Sequence, residues 1–464
     1  MKISSRVLPT ALTFVAVCLF AAWVHGQSLE VPSKGGFNCS PAPCVLPPTQ
    51  ASEGGRGVTS TPIVANPLNQ QDLLLGSVDG NCYPSTLGLH FSHDGGSSWQ
   101  RVLCMPIIYI NNDMYITGDE PSVGYDRRGV AYAAGDYYDY TRGHRGVVAV
   151  QKSSNGIRWT KPKVALRGQS YPFETSMAVD TSVNSPWVNS VYVSGVMWSH
   201  HGSHKQVVVS HSTDSGVTWT QSAVDVVQKY PEQDFFTRMA VGKDGNVFAS
   251  WMRCRGTHNS ICTNNVAHMM FSSSTDGGNT WSAPQVIATV TTNWELPNSN
   301  QVRLDYYPVI AVDNSNGPNS GNLYLGMYTW TGTYLRAQVI RSTDGGKTWS
   351  KPVPLAPKSD THDQFFPTVS VSPTGLVGVS WLDRRNDPAN HDYQAFTAIS
   401  TDGGKTFPNT QLTDAFSDPD KSGDDGWMGD YMGNTWAGNK FIAAWMDSSN
   451  GVDMQAVIGG VRLK

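Results

Sequence analysis

The chain has 464 residues, 15% of them charged, and Lys+Arg 33 against Asp+Glu 37 leaves a formal net charge of −4. That balance excludes a protein that binds nucleic acid through its overall charge, which needs a basic surface. Hydrophobic content of 39%, with 15 Trp, 18 Tyr and 15 Phe, excludes a disordered chain. Length alone, at ~150 residues per domain, suggests about three domains.

Lys2 and Arg6 precede a mostly apolar run from Val7 to Val24, and Val24-His25-Gly26 offers a cleavage site before Gln27. Residues 1–26 therefore read as a secretory signal, which makes the mature protein secreted or periplasmic and free of the membrane. A transmembrane anchor is the competing reading, but a polar, Pro-rich stretch without a stop-transfer flank follows the run. Six cysteines remain after cleavage: Cys39, Cys44, Cys82, Cys104, Cys254 and Cys262. None has CxxC metal spacing, so structural disulfides are expected, and proximity pairs Cys39–Cys44, Cys82–Cys104 and Cys254–Cys262.

A repeat then dominates the chain. Ser92 to Trp99, Ser212 to Trp219, Ser274 to Trp281, Ser342 to Trp349 and Ser400 to Phe407 follow the pattern Ser-x-Asp-x-Gly-x-x-Trp, and Ser153 to Trp159 is a degenerate copy. Taking Asp94, Asn155, Asp214, Asp276, Asp344 and Asp402 as markers, the steps are 61, 59, 62, 68 and 58 residues. The Asp carboxylate can accept backbone N–H groups of its own turn, Gly supplies a positive φ, and Trp falls on the following strand. These acidic residues are expected to be structural.

Between the boxes each unit repeats short strands separated by turns. In the fifth they run Pro308 to Asp313, Leu323 to Trp330, Arg336 to Arg341 and Trp349 to Leu355. The first unit begins near Thr59, and a seventh without a box runs from Gly429 to Leu463. Four-stranded sheets at this period predict an all-β fold, a β-propeller of seven blades, with six as the alternative. The seventh unit lacks a fourth strand, which the mature N-terminus around Ser28 to Val31 is expected to supply. The expected division is therefore a signal at 1–26, an N-terminal segment at 27–56 with a ring-closing strand, and one propeller at 57–464 rather than three domains.

The repeated motif resembles the Asp boxes of sialidases and of the wider group of bacterial neuraminidase repeat proteins, over essentially the whole mature chain. The resemblance is specific for fold and less so for activity.

Topology places the working face. If the box turns join strands three and four, the starts of strand one lie on the opposite face and crowd the channel. Those starts are acidic: Asp119-Glu120-Pro121, Glu174, Glu232 and Asp234, Asp305, Asp363 and Asp430. Clustered carboxylates suit general acid chemistry, and they equally suit Ca²⁺, although no cofactor is demanded. The loops between strands two and three add Asp139, His200, His201, His204, Arg253, Trp330, Asp383, Arg384 and Asp447. The histidines read as a solvated loop. Asp363, Asp430, Arg253, Trp330 and Asp383 are candidate substrate-binding residues, since sugars stack on aromatic rings and hydrogen-bond to charged groups.

The resemblance implies three arginines clamping a sugar carboxylate and a Tyr nucleophile helped by Glu. Arg238, Arg303 and Arg384 are the candidate clamp, Tyr306, Tyr307 or Tyr431 the nucleophile, and Glu120 or Glu174 its partner. The Arg-Ile-Pro sequence that opens sialidase domains is absent. The expected function is a sialidase-like propeller, a monomer recognising or cleaving extracellular glycans; a polysaccharide lyase and a non-catalytic binding propeller are the alternatives.

Overall fold

The computed structural model describes residues 44–143, 145–168, 172–198, 205–225, 231–256, 262–421 and 427–463. His200, His201, His204 and Cys39 lie outside these residues, as do the expected signal and residues 28–31.

Seven antiparallel sheets follow one another along the chain, each with its first strand innermost. Blade one runs from Val58–Thr59 and Ile63–Ala65 through Leu73–Asp79 and Leu87–Ser92 to Leu103–Cys104. Blade two has Ser122–Tyr125 inside, then Ala131–Asp139, Gly146–Ser153 and Lys163–Arg167, and the pair Ile108–Ile110 and Asp113–Thr117 widens it to six strands. Blades three and four run Pro172–Val179 to Thr220–Ala223 and Glu232–Val241 to Gln285–Thr291. Blades five and six run Val309–Val312 to Val353–Pro354 and Gln364–Val371 to Asn409–Gln411. The molecule is a seven-bladed β-propeller. The middle strands are covered on both faces by neighbouring blades, so Val377–Asp383 is buried at every position.

Blade seven takes Gly433–Ala437, Lys440–Asp447 and Gln455–Arg462 from the C-terminus, and its outer strand Cys44–Gln50 from the N-terminus. The closing strand thus lies later in the chain than Ser28 to Val31. Its ladder runs from Cys44↔Arg462 to Gln50↔Val457 with a register shift between Leu46 and Thr49. Pro47 and Pro48, which carry no N–H to donate, fall inside that shift, so an apparently strand-breaking sequence is accommodated.

The five full boxes form nearly the same turn. In the fifth unit Ser342 Oγ donates to Asp344 Oδ1 at 2.8 Å and accepts Gly346 N–H at 2.9 Å, while Thr348 N–H and Oγ1 reach the carboxylate at 2.9 and 2.6 Å. The Thr280 hydroxyl and amide likewise bind the Asp276 carboxylate and hold its pKa down to about 2. Trp349 donates to Gly346 O at 3.0 Å and meets Phe271 of blade four edge-on at 5.6 Å. The boxes therefore pin each turn and pack it on the preceding blade. Disulfides join Cys82–Cys104 and Cys254–Cys262 as expected; Cys44 is also disulfide-bonded.

Candidate functional site at the propeller axis

Aligning the blades on their inner strands puts Ser60, Glu120, Glu174, Phe236, Tyr307, Phe366 and Tyr431 at one equivalent position around the channel. Four of them, Ser60, Glu174, Phe236 and Phe366, hold positive φ of 49, 62, 58 and 52°. The last three follow register shifts at Phe173/Ser176, Phe235/Arg238 and Phe365/Thr368. A bulge with a non-glycine residue in the left-handed region turns a side chain out of the pleat and toward the axis. Ser60, Phe236, Tyr307, Phe366 and Tyr431 are buried there.

Contacts across the channel link distant parts of the chain. Tyr307 Oη donates to Glu120 Oε1 at 2.9 Å, joining blade five to blade two. The Phe236 ring lies 4.7 Å from Tyr307, and Tyr431 meets Tyr307 edge-on at 5.2 Å. The Arg238 guanidinium sits over both tyrosines, 3.9 Å from the Tyr307 centroid and 4.3 Å from that of Tyr431. Glu174 accepts the Phe236 backbone N–H. Arg303 grips Asp430 with Nη2 3.0 Å from both carboxylate oxygens, Asp305 lies 3.8 Å from the same nitrogen, and Trp427 donates to Asp430 at 2.7 Å.

The electrostatics follow from crowding acids in a partly dry channel. Burial, then Asp136 and Asp430, raise the Asp119 carboxyl to about 7. Burial, then Asp430 and Asp119, push Glu120 well above its ordinary range, against the pull of Arg238. Burial and Asp430 do the same to Asp305. Burial, with Glu120 and Asp430 beside it, raises the Tyr307 hydroxyl. Glu120 Oε2 and Arg238 Nη2 are buried without a hydrogen-bond partner among the described residues. Polar atoms in that state are satisfied by water or by a polar ligand.

The structure thus brings together Glu120, Glu174, Arg238, Arg303, Asp305, Tyr307 and Asp430. Tyr306 instead exchanges hydrogen bonds with the Asn293 backbone at 2.7 and 3.0 Å. Arg384 leaves the candidate clamp: it is fully buried, pairs with Asp363 at 3.2 Å and donates to the Asn390 carbonyl at 3.1 Å. Asp363 is held by that pairing and by Leu335 N–H at 2.7 Å. Arg253 is engaged by Asp234 and Asp225. Asp383 accepts Trp381 Nε1 at 2.7 Å and pairs with Arg385, and Asp447 accepts Trp445 Nε1 at 2.9 Å. Several loop carboxylates therefore anchor buried tryptophans. Trp330 is half-buried against the core of blades four to seven. Sequence reasoning grouped Asp119 with the other acidic strand starts and passed over Trp427 and Phe236; the signal for the last was the recurring aromatic or acid one residue before Pro or Thr.

Among the described residues, the group of three ligating side chains close enough for a metal is His391, Asp392 and Asp418, on blade six loops. Both His391 nitrogens already face carboxylates, Asp392 at 2.7 Å and Asp420 at 3.2 Å.

Residues 251–430 match the family model described as a BNR repeat-like domain. No curated protein matches the sequence. Similar solved structures include an ulvan lyase of a new polysaccharide lyase family, bound to -[GlcA(1-4)Rha3S]-. It has a TM-score of 0.54 and 12% identity over 89% of this chain and 95% of that one. A Hadza microbial sialidase gives 0.47 and 14% over 84% and 73%. The arabinofuranosidase of Fusarium graminearum with arabinobiose gives 0.46 and 12% over 76% and 96%. The protein is a seven-bladed β-propeller whose residues 251–430 carry a BNR repeat-like domain.

Proposed function

We propose that the protein is exported and that its axial pocket cleaves a glycosidic bond in an extracellular glycan. Asp119, poised to hold a proton near neutrality, is the general acid for the leaving oxygen, and Tyr307 attacks the anomeric carbon as its hydroxyl proton passes to the ionised form of Glu120, the form that Arg238 favours. The observation that carries this reading is the Tyr307–Glu120 hydrogen bond of 2.9 Å beneath Arg238, with unsatisfied polar atoms on both residues flanking the tyrosine. That the solved structures of similar fold include enzymes acting on sugars supports the substrate class. Export is supported by the apolar N-terminal run and by two disulfides. No helix among the described residues is long and apolar enough to cross a membrane.

The charge of the pocket favours a neutral sugar over a carboxylated one. Among the described residues, the cations at Asp119, Glu120, Glu174, Asp305 and Asp430 are Arg238 and Arg303, and Arg303 is already committed to Asp430. With Asp119, Glu120 and Asp305 inclined to hold their protons, a sugar carboxylate there finds the guanidinium of Arg238 rather than an arginine triad.

A panel of fluorogenic glycosides, neutral and sialylated, tests this with the purified mature protein. The expected result is turnover of a neutral glycoside, reduced at least ~100-fold in both Tyr307→Phe and Asp119→Asn. Turnover of the sialoside alone overturns the neutral-sugar reading, and no turnover by a folded protein overturns the catalytic one.

A further inference from the structure

The charge of the chain is unevenly placed. Between residues 140 and 173 stand seven cationic residues, Arg142, Arg145, Lys152, Arg158, Lys161, Lys163 and Arg167, and no acidic one. This stretch forms the outer half of blade two: its box turn and its outermost strand, Lys163–Arg167. Basic residues on an edge strand ordinarily discourage pairing with other chains. The outer strands of the six other blades manage without them, since CVLPPTQ, LC, TQSA, QVIATVT, VP and NTQ hold no charge at all. Arg158, Lys161, Lys163 and Arg167 are exposed and make no ion pair among the described residues.

Beside them lies a groove of about 640 Å³ between blades one and two. Its apolar wall includes Tyr109, 69% exposed, and Ile157, 55% exposed, with the half-buried Trp159 between the blades. Lys161 lines the same groove. Aromatic faces in a concave surface, with the unpaired Lys161 on its wall and Arg158, Lys163 and Arg167 adjacent in the chain, suit sugar rings that carry anionic substituents.

We infer that the groove between blades one and two, with the cationic edge of blade two, is a second binding site that holds a sulfated or carboxylated polysaccharide. It is separate in position and opposite in charge from the acidic axial pocket. The choice of polysaccharide over single-stranded nucleic acid rests on the glycan reading of that pocket. A recessed groove is poorly shaped for a flat bilayer, which protruding apolar residues engage.

The test measures binding, not turnover, so it stands or falls independently of the axial chemistry. The mature protein is titrated with dextran sulfate, neutral dextran, single-stranded DNA and phosphatidylserine vesicles at roughly 50 and 200 mM salt. Dextran sulfate is expected to bind in a salt-sensitive way and neutral dextran far more weakly. The double variant Lys161→Glu/Lys163→Glu should lose at least ~10-fold in affinity. Tyr109→Ala should lose about 3-fold with an unchanged salt dependence, because it removes a ring and no charge. These side chains are exposed, and near-UV circular dichroism of each variant confirms the fold. Absence of dextran sulfate binding, insensitivity to both substitutions, or tighter binding of DNA or vesicles overturns the inference.

Discussion

At the scale of single residues, the axis is a place where carboxyl groups are made to keep protons. Asp119 shows this most plainly, since burial and then Asp136 and Asp430 lift it from 3.8 to about 7. A raised pKa means that the folded state binds this proton more tightly than the unfolded chain does. Its contribution to stability is therefore fully present below about pH 4 and is lost as pH rises through 7. Asp119→Asn removes that loss while keeping the shape of the side chain. The variant should match the parent in melting temperature near pH 4 and exceed it at pH 8 by on the order of 5 °C. An offset that does not change with pH would mean that Asp119 titrates as an ordinary carboxylate. The acidic starts of the inner strands were readable in the sequence as a group. Which tyrosine matters was not, because the Tyr307–Glu120 contact joins positions 187 residues apart. Nor does sequence distinguish Arg303, on the pocket with its side chain 51% exposed, from Arg384, whose side chain is 0% exposed.

At the scale of elements, the box turns were the most legible part of the chain because their chemistry is local. Serine, aspartate, glycine and the following threonine all bond within eight residues, so a short pattern carries the whole turn. The two glycines of one box nevertheless do different things. Gly345, with φ of +73°, has open space where a Cβ would stand, whereas Gly346, with φ of +90°, would place a Cβ against the Phe271 ring of blade four. Alanine at either position pays left-handed strain of about 1 kcal/mol. At Gly346 overpacking adds about 2 kcal/mol. Urea unfolding of Gly345→Ala and Gly346→Ala should therefore differ by about 2 kcal/mol with the same m-value. Equal losses would show that the box is a turn only, and that the blade-to-blade contact contributes little. Bulges at the axis were far less readable, since Phe173-Glu174-Thr175 and Phe235-Phe236-Thr237 look like ordinary strand sequence. Only the pairing with the second strand reveals the skipped residues.

At the scale of the molecule, the net charge of −4 conceals an acidic channel and a basic edge, which whole-chain composition averages away. It likewise conceals how the ring is held shut. A propeller whose last blade came entirely from the C-terminus would leave blades seven and one joined by side-chain packing and by the inner backbone contacts Val58–Met454 and Thr61–Met432. Here Cys44–Gln50 completes blade seven before the chain crosses to Val58–Thr59, so backbone hydrogen bonds span the seam. Thr49 Oγ1 reaches Gly96 O of blade one at 2.8 Å, and Thr61 bridges to Met432 on the inner side. Blade seven also carries Asp430 and Tyr431, so the seam and the axial site share a blade. A chain beginning at Ala51 keeps every axial residue yet uncovers the buried edge Gln455–Arg462. It should melt well below the parent and associate through that edge, as unpaired strands do. A synthetic peptide spanning residues 41–50 offers the missing strand from outside. Its addition should raise the melting temperature saturably and restore the parent's elution volume in size-exclusion chromatography, while a peptide of scrambled order does neither. If the shortened chain melts like the parent, the N-terminal strand is an ornament on a ring already closed by packing between blades.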